Sequence, residues 1–281
     1  MGMASPLKRL LTLVLVLAVQ IFAAPSEADD RLPIFDLHMH YNQEAWSGLP
    51  PEQVVDWMDR AGVSRALVSS TPDDGTLALH RHDPGRFIAE LRPYGGTINS
   101  VNWYRRAEVV PYLERRLTNG IYRGIGEVHF YAGKEVNTAE VRAVVAQARS
   151  RGIFLHVHSN AEAIAALYAI DPNVRILWAH AGTTEPADVV EETMKRYPTL
   201  WAELSLRAED ILPDGNLDPE WRDLLVMFSD RFVIGADTYV NARWVEYEDL
   251  VDAHRAWLSR LPQDKARAIA FENAERMFGI D

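Results

Sequence analysis

A chain of 281 residues with a formal charge of −11 at neutral pH, nine histidines and no cysteine excludes several classes at once. The acidic balance argues against a nucleic-acid partner, whose phosphates require a basic surface. Without cysteine there is no disulfide, thiolate nucleophile, lipid-anchored cysteine or iron–sulfur cluster, so any metal must be held by histidine and carboxylate, which suits zinc or a related divalent ion.

The chain opens with Lys8 and Arg9, an apolar run from Leu10 to Phe22 and small residues through Ala28, the layout of an export signal. The run is shorter than the roughly 20 residues a membrane span needs. Residues 1–28 are therefore expected to be cleaved, leaving a secreted or periplasmic product with no membrane attachment; an uncleaved anchor is the alternative. Residues 29–281 match the roughly 250 residues of one (β/α)8 TIM barrel.

Along that stretch, short β-branched runs alternate with longer amphipathic ones, as repeated βα units do. Strands are expected over 33–38, 65–70, 97–103, 122–130, 153–159, 175–180, 200–206 and 231–237. Helices are expected over 51–61, 80–93, 108–118, 138–151, 161–170, 186–197, 218–228 and 246–259, with a last one over 263–278. An open doubly wound sheet is the competing arrangement. It lacks support because Gly124-Ile125-Gly126 is too short for a dinucleotide fingerprint.

In a barrel the chemistry sits where the strands end at their C-terminal side, and polar residues fall at those ends here. The first strand ends in His38-Met39-His40, and residues two apart on a strand share a face, so both rings can grip one ion. The fourth strand carries Glu127, which either bridges two ions or lines the interior paired with His129. The fifth carries His156 and His158; His158 lies nearer the rim and is the expected ligand, while His156, one layer deeper, is a supporting or core-lining group. His180 ends the sixth strand, and Asp237 ends the eighth, where a carboxylate can bind an ion and accept a proton from water.

These residues, arriving in strand order 1, 1, 5, 6 and 8, resemble the amidohydrolase superfamily and its amidohydrolase-2 branch. The similarity runs from Pro33-Ile34-Phe35-Asp36-Leu37-His38-Met39-His40 to Phe271-Glu272-Asn273-Ala274-Glu275-Arg276-Met277-Phe278-Gly279. What the resemblance implies is a site of one or two divalent ions held by His38, His40, His158, His180 and Asp237. Many two-ion members use a carboxylated lysine on the fourth strand; Glu127 stands there instead, in a Gly-x-Gly-Glu stretch that is similar to the bridging glutamate of TatD-type nucleases.

The expected activity is metal-dependent hydrolysis of an amide, ester, lactone or phosphoester bond in a small molecule, with Asp237 and His180 as catalytic groups. A metal-dependent decarboxylase on the same scaffold is the alternative, and a non-catalytic binding protein leaves Asp237 without a purpose. Tyr41, Asn102, Trp103, Tyr131 and Arg207, just beyond the strands, are the expected substrate contacts, Arg207 through a carboxylate or phosphate.

Overall fold

The computed structural model describes Met1 and residues 31–280. The export segment expected over 1–28 lies outside the described residues apart from Met1. From Arg31 onward the chain alternates strand and helix in the order β1 (Ile34–Met39), α1 (Pro51–Ala61), β2 (Val63–Val68), α2 (Asp74–His82), β3 (Phe87–Leu91), α3 (Val109–Leu117), β4 (Tyr122–Phe130), α4 (Ala139–Arg151), β5 (Phe154–Ser159), α5 (Ala161–Ile170), β6 (Ile176–Trp178), α6 (Ala187–Arg196) and β7 (Leu200–Glu203). Then follow α7 (Ala208–Ile211), α8 (Pro219–Met227), β8 (Phe232–Val233), α9 (Asn241–Val245), α10 (Tyr247–Leu258), α11 (Gln263–Arg267) and α12 (Asn273–Phe278).

All eight strands are parallel and lie in sequential order β1 to β8. The chain beyond β8 meets β1 through Leu37 N–H donating to Ile234 O at 2.8 Å and a bridge between Asp36 and Ile234, which brings the sheet round into a barrel. Helix ends follow local chemistry. Pro51 opens α1 and Gly62, at φ 63°, closes it, while Thr138 and Asn160 accept the Val141 and Ala163 N–H groups to cap α4 and α5.

The base of the barrel is a plug of Phe35, Leu37, Leu67, Ile88, Phe154, Leu177 and Val233, supplied by six different strands and sealed from below by Ala274 and Met277. A second apolar layer, with Met39, Val68, Ile125, Val128 and Val157 facing helical residues such as Val54, Val144 and Leu167, fills the space outside the strands.

Two β-bulges decide what faces inward above the plug. In β1, Asp36 pairs with Ala66 and Met39 with Val68, so β1 carries one extra residue. A one-residue insertion exchanges the two faces of a strand. Phe35 and Leu37 point in below the bulge, and His38 and His40 point in above it. The Asp36 carboxylate fixes the bulge, accepting from His38 N–H at 2.9 Å, Ala236 N–H at 3.0 Å and Tyr247 O–H at 2.9 Å. In β4, Ile125 pairs with Leu155 and Val128 with Val157, and the extra residue there turns Glu127 inward.

One expected element is misplaced. The third strand is Phe87–Leu91, inside the stretch expected to be helical, and 97–103 is loop followed by a short 3-10 turn over Trp103–Arg105. Asp83-Pro84-Gly85 breaks any helix crossing it. The other seven strands lie within three residues of the expected starts; those at β6, β7 and β8 stop early because the chain there turns into the site.

Candidate metal centre

Above the plug, alternate strands supply a fully buried polar layer: His38 from β1, Glu90 from β3, His156 from β5 and Glu203 from β7. Contribution of a layer by alternate strands is the ordinary arrangement of a barrel interior. Two pairs form, His38 Nδ1 to Glu203 Oε2 at 2.8 Å and His156 Nδ1 to Glu90 Oε2 at 3.0 Å. Glycines on the strands between leave the space: a methyl group on Gly235 would run into Glu203 and His38, and one on Gly124 into Glu90.

The next level up collects the ligand candidates. His38 Nε2 and His40 Nε2 are 3.1 Å apart. Asp237 Oδ1 lies 3.5 and 3.4 Å from them, and Glu127 Oε2 lies 3.6 and 3.4 Å from them. The other side of the same carboxylates faces His180, whose Nε2 is 3.6 Å from Glu127 Oε1 and 3.9 Å from Asp237 Oδ2. His158 Nδ1 is 2.9 Å from Glu127 Oε1. The six expected ligands, His38, His40, Glu127, His158, His180 and Asp237, thus converge on one cluster, with Glu127 facing His158 and His180 through Oε1 and His38, His40 and, at 3.7 Å, His129 through Oε2.

This donor set fits a divalent ion on two counts. Neighbouring ligands at 2.0–2.2 Å from an ion such as zinc stand about 3.3–3.6 Å apart, and the four separations of His38 and His40 Nε2 from Asp237 Oδ1 and Glu127 Oε2 fall at 3.4–3.6 Å. The tautomers agree. His40 Nδ1 faces the Ser69 carbonyl at 2.5 Å and His38 Nδ1 faces the Glu203 carboxylate, so both must donate there. Their Nε2 atoms then face one another beside two carboxylate oxygens, a negative setting that a bound cation, or in its absence a proton on His38, would neutralise.

The electrostatics carry the same message. Burial alone would lower the His38 ring, but the charges of Asp237, Glu127 and Glu203 outweigh it and hold it well above the usual imidazole range. Burial would raise Glu127, yet its histidine neighbours, with hydrogen bonds from His158 and His180, hold it well below the carboxylate range. Glu203 is likewise depressed, burial being overcome by His38, His180 and the Ser205 N–H.

A cavity of about 450 Å³ opens over the cluster, lined by Arg92, Tyr94, Glu127, His129, His158 and Asp237 near the cluster, together with Asn42, Asn99, Ile98, Leu206 and Tyr239 among others. None of the five expected substrate contacts is on this wall, and three of them are large side chains committed elsewhere. Tyr41 is buried with its hydroxyl on Leu49 O at 2.6 Å. Trp103 is buried with its indole N–H on His129 O at 2.8 Å. Arg207 is spent on His180 O, Glu185 O, Asp210 and the face of Trp221. The reason is common to all three: each is a large side chain that strand-end packing consumes. Asn102 turns back to Thr97 O. Tyr131 is 56 % exposed beside His129 and His158, though it does not line the cavity.

Arg92 and Tyr94 are the residues that the misplaced third strand concealed. Arg92 donates from Nε to Glu127 O at 3.1 Å and from Nη2 to Glu127 Oε2 at 3.0 Å. The Tyr94 oxygen accepts the His129 backbone N–H at 2.9 Å and stands 3.1 Å from His129 Nδ1.

A family model described as amidohydrolase matches residues 35–280. No curated protein matches in sequence. Among solved structures the chain is similar to a probable 2-pyrone-4,6-dicarboxylic acid hydrolase from Acinetobacter baumannii with citric acid bound (12 % identity, 88 % of this chain and 100 % of that one, TM-score 0.63). It is also similar to an amidohydrolase from Burkholderia multivorans with bound zinc (16 %, 89 % and 100 %, TM-score 0.60) and to 5-carboxyvanillate decarboxylase from Sphingomonas paucimobilis (14 %, 89 % and 100 %, TM-score 0.58). At these identities the likeness is one of fold.

Proposed function

The chain belongs to the amidohydrolase family, and from that premise we propose that it is a metal-dependent hydrolase cleaving an amide, ester, lactone or phosphoester bond of a small molecule. The observation that carries the reading is the convergence of His38 Nε2, His40 Nε2, Asp237 Oδ1 and Glu127 Oε2, each carboxylate oxygen lying 3.4–3.6 Å from both histidine nitrogens. These four are proposed to hold an ion, and two imidazoles with two carboxylates suit zinc best. Zinc in the Burkholderia protein is in keeping with that choice. Glu127 Oε1, His158 and His180 are proposed to hold a second ion. A divalent cation supplies Lewis acidity and makes water acidic enough to act as a nucleophile, lowering its pKa from about 15.7 toward 7.

The remaining roles fall to side chains. Asp237 accepts the proton of the attacking water and returns it to the leaving group. It is held for that task by its own N–H on His38 O at 2.6 Å and by Arg243, which donates to Asp237 O and Ala236 O. Arg92 fixes the Glu127 carboxylate between the two histidine pairs. His129 is kept neutral, pushed down to about 3 by burial and the Arg92 charge against the pull of Glu127. With the Tyr94 hydroxyl donating to its Nδ1, its Nε2–H faces Glu127 Oε2 at 3.7 Å and helps to hold that carboxylate in place.

A decarboxylase on this scaffold is the second reading, and one similar structure bears that activity. The two-sided environment of Glu127 favours hydrolysis, because His158 and His180 beside Oε1 would offer a place for a second ion and the decarboxylation chemistry needs one. Asp237→Asn tests the assignment: the variant should retain metal and lose at least about a hundredfold in kcat. Full activity with metal retained would remove Asp237 from its role. We also propose export of the chain, on the strength of Lys8, Arg9 and the apolar run that follows.

A further inference from the structure

At the mouth of the cavity the chain leaving β7 reverses direction. Arg207 N–H donates to Leu204 O at 3.2 Å, closing a tight turn over 204–207. The third residue of that turn, Leu206, has φ of +65°. Glycine or asparagine ordinarily occupies such a position, since a Cβ crowds the backbone there. Burial does not compensate the leucine: it is 45 % exposed, yet it lines the same cavity as Asp237, Glu127 and His158.

Its neighbours explain why the turn lies where it does. Ser205 faces inward, 2.7 Å from His180 Nδ1 through its hydroxyl. Arg207 faces inward to His180 O and Glu185 O. With both flanking residues committed, residue 206 alone is presented over the mouth. Ile98 and Tyr239, the latter 51 % exposed, stand on the same wall. Backbone strain of this kind concentrates at ligand sites. Among the described residues, five of the six non-glycine positions with positive φ (His180, Ala181, Thr183, Leu206 and Asp237) follow β6, β7 and β8 at this mouth.

Resting on the hydrolase reading and deepening it, we propose that Leu206, with Ile98 and Tyr239, is an apolar specificity wall, and that the substrate is an acyl compound carrying an alkyl or aryl group beside the scissile bond. The polar end of such a molecule meets Arg92, His129 and the ligand cluster; its hydrocarbon end covers Leu206. A wholly polar substrate leaves the strained leucine without a partner.

The test uses zinc-loaded protein and two probe series, γ-lactones with methyl to hexyl substituents for turnover and straight-chain carboxylates from acetate to octanoate for binding. Leu206→Gly and Leu206→Asn both suit the turn and remove the hydrocarbon. Wild type should favour the longer members in both series, and the long-to-short ratio should fall about tenfold or more in both variants, while their ligand-free Tm stays at or above wild type. A wild type indifferent to chain length, a ratio that survives in both variants, or a ligand-free Tm lowered in Leu206→Gly would overturn the wall. Length-dependent binding that both variants lose, with no lactone and none of the matching esters, amides or phosphoesters hydrolysed, would support the wall and count against the hydrolase reading instead.

Discussion

His38 Nδ1 lies 2.8 Å from Glu203 Oε2, and both side chains are completely buried beneath the ligand cluster. The carboxylate fixes the ring's tautomer and aims its Nε2 at His40, Asp237 and Glu127. Partners of this kind typically contribute ten- to a hundredfold in metal affinity. Glu203→Gln, which keeps the volume and loses the charge, is expected to weaken zinc binding by that range in a chelator competition. Unchanged affinity would mean that Glu203 serves packing alone.

Gly235 offers an independent handle on the same pair. A methyl group there would meet Glu203 Oε1 and His38 Cβ, both in a packed interior with nowhere to move. Gly235→Ala should lower stability by roughly 1–3 kcal/mol and weaken zinc binding although every ligand is retained. Denaturant unfolding of the metal-free protein and zinc titration measure the two effects separately.

Asp73 gives a pH prediction away from the cluster. Buried before α2, its carboxyl is pushed up to about 6 by burial, partly offset by the Tyr122 hydroxyl at 2.6 Å and the Arg116 charge. Because the folded state holds this proton more tightly than the unfolded state, the group favours folding at low pH and costs stability as pH rises from about 4 through 6. The full shift corresponds to about 3 kcal/mol. Asp73→Asn should therefore be no more stable than wild type near pH 4 and gain on it steadily to pH 7. Equal differences at the two pH values, measured by urea unfolding, would contradict the assignment.

The barrel was legible because its elements carry plain periodicity: 51–61, 122–130 and 161–170 are found with the expected bounds. The convergence of His38, His40, His158, His180 and Asp237 was legible because His-x-His and strand-terminal His and Asp survive small errors in strand ends. What escaped depended on tertiary facts. The bulges in β1 and β4 leave no local mark, although they set which residues face inward. Glu90 and Arg92 were hidden by a helical reading over 80–93 that ran through Asp83-Pro84-Gly85, and Tyr94 fell just beyond its end. Glu203 lay on an expected strand, but nothing local distinguishes a carboxylate that supports a histidine from one that faces solvent. Tyr41, Trp103 and Arg207 pack instead of lining the cavity, because proximity to a strand end does not say whether a side chain packs or projects.

Export is checked by mass. Expressed with its first 28 residues in a secreting bacterial host, the protein should be recovered outside the cytoplasm beginning at Asp29. Recovery of the intact chain from the membrane fraction would support an anchor instead.

The central claim is that His38, His40, Asp237 and Glu127 hold a divalent ion. Its most direct test is metal content by mass spectrometry after dialysis against limiting zinc, for wild type and for His38→Ala and His40→Ala. The account predicts at least one tightly held equivalent in wild type and its loss in both variants, each still folded by circular dichroism. Wild-type protein without stoichiometric metal, or variants that bind zinc as tightly as wild type, would contradict it.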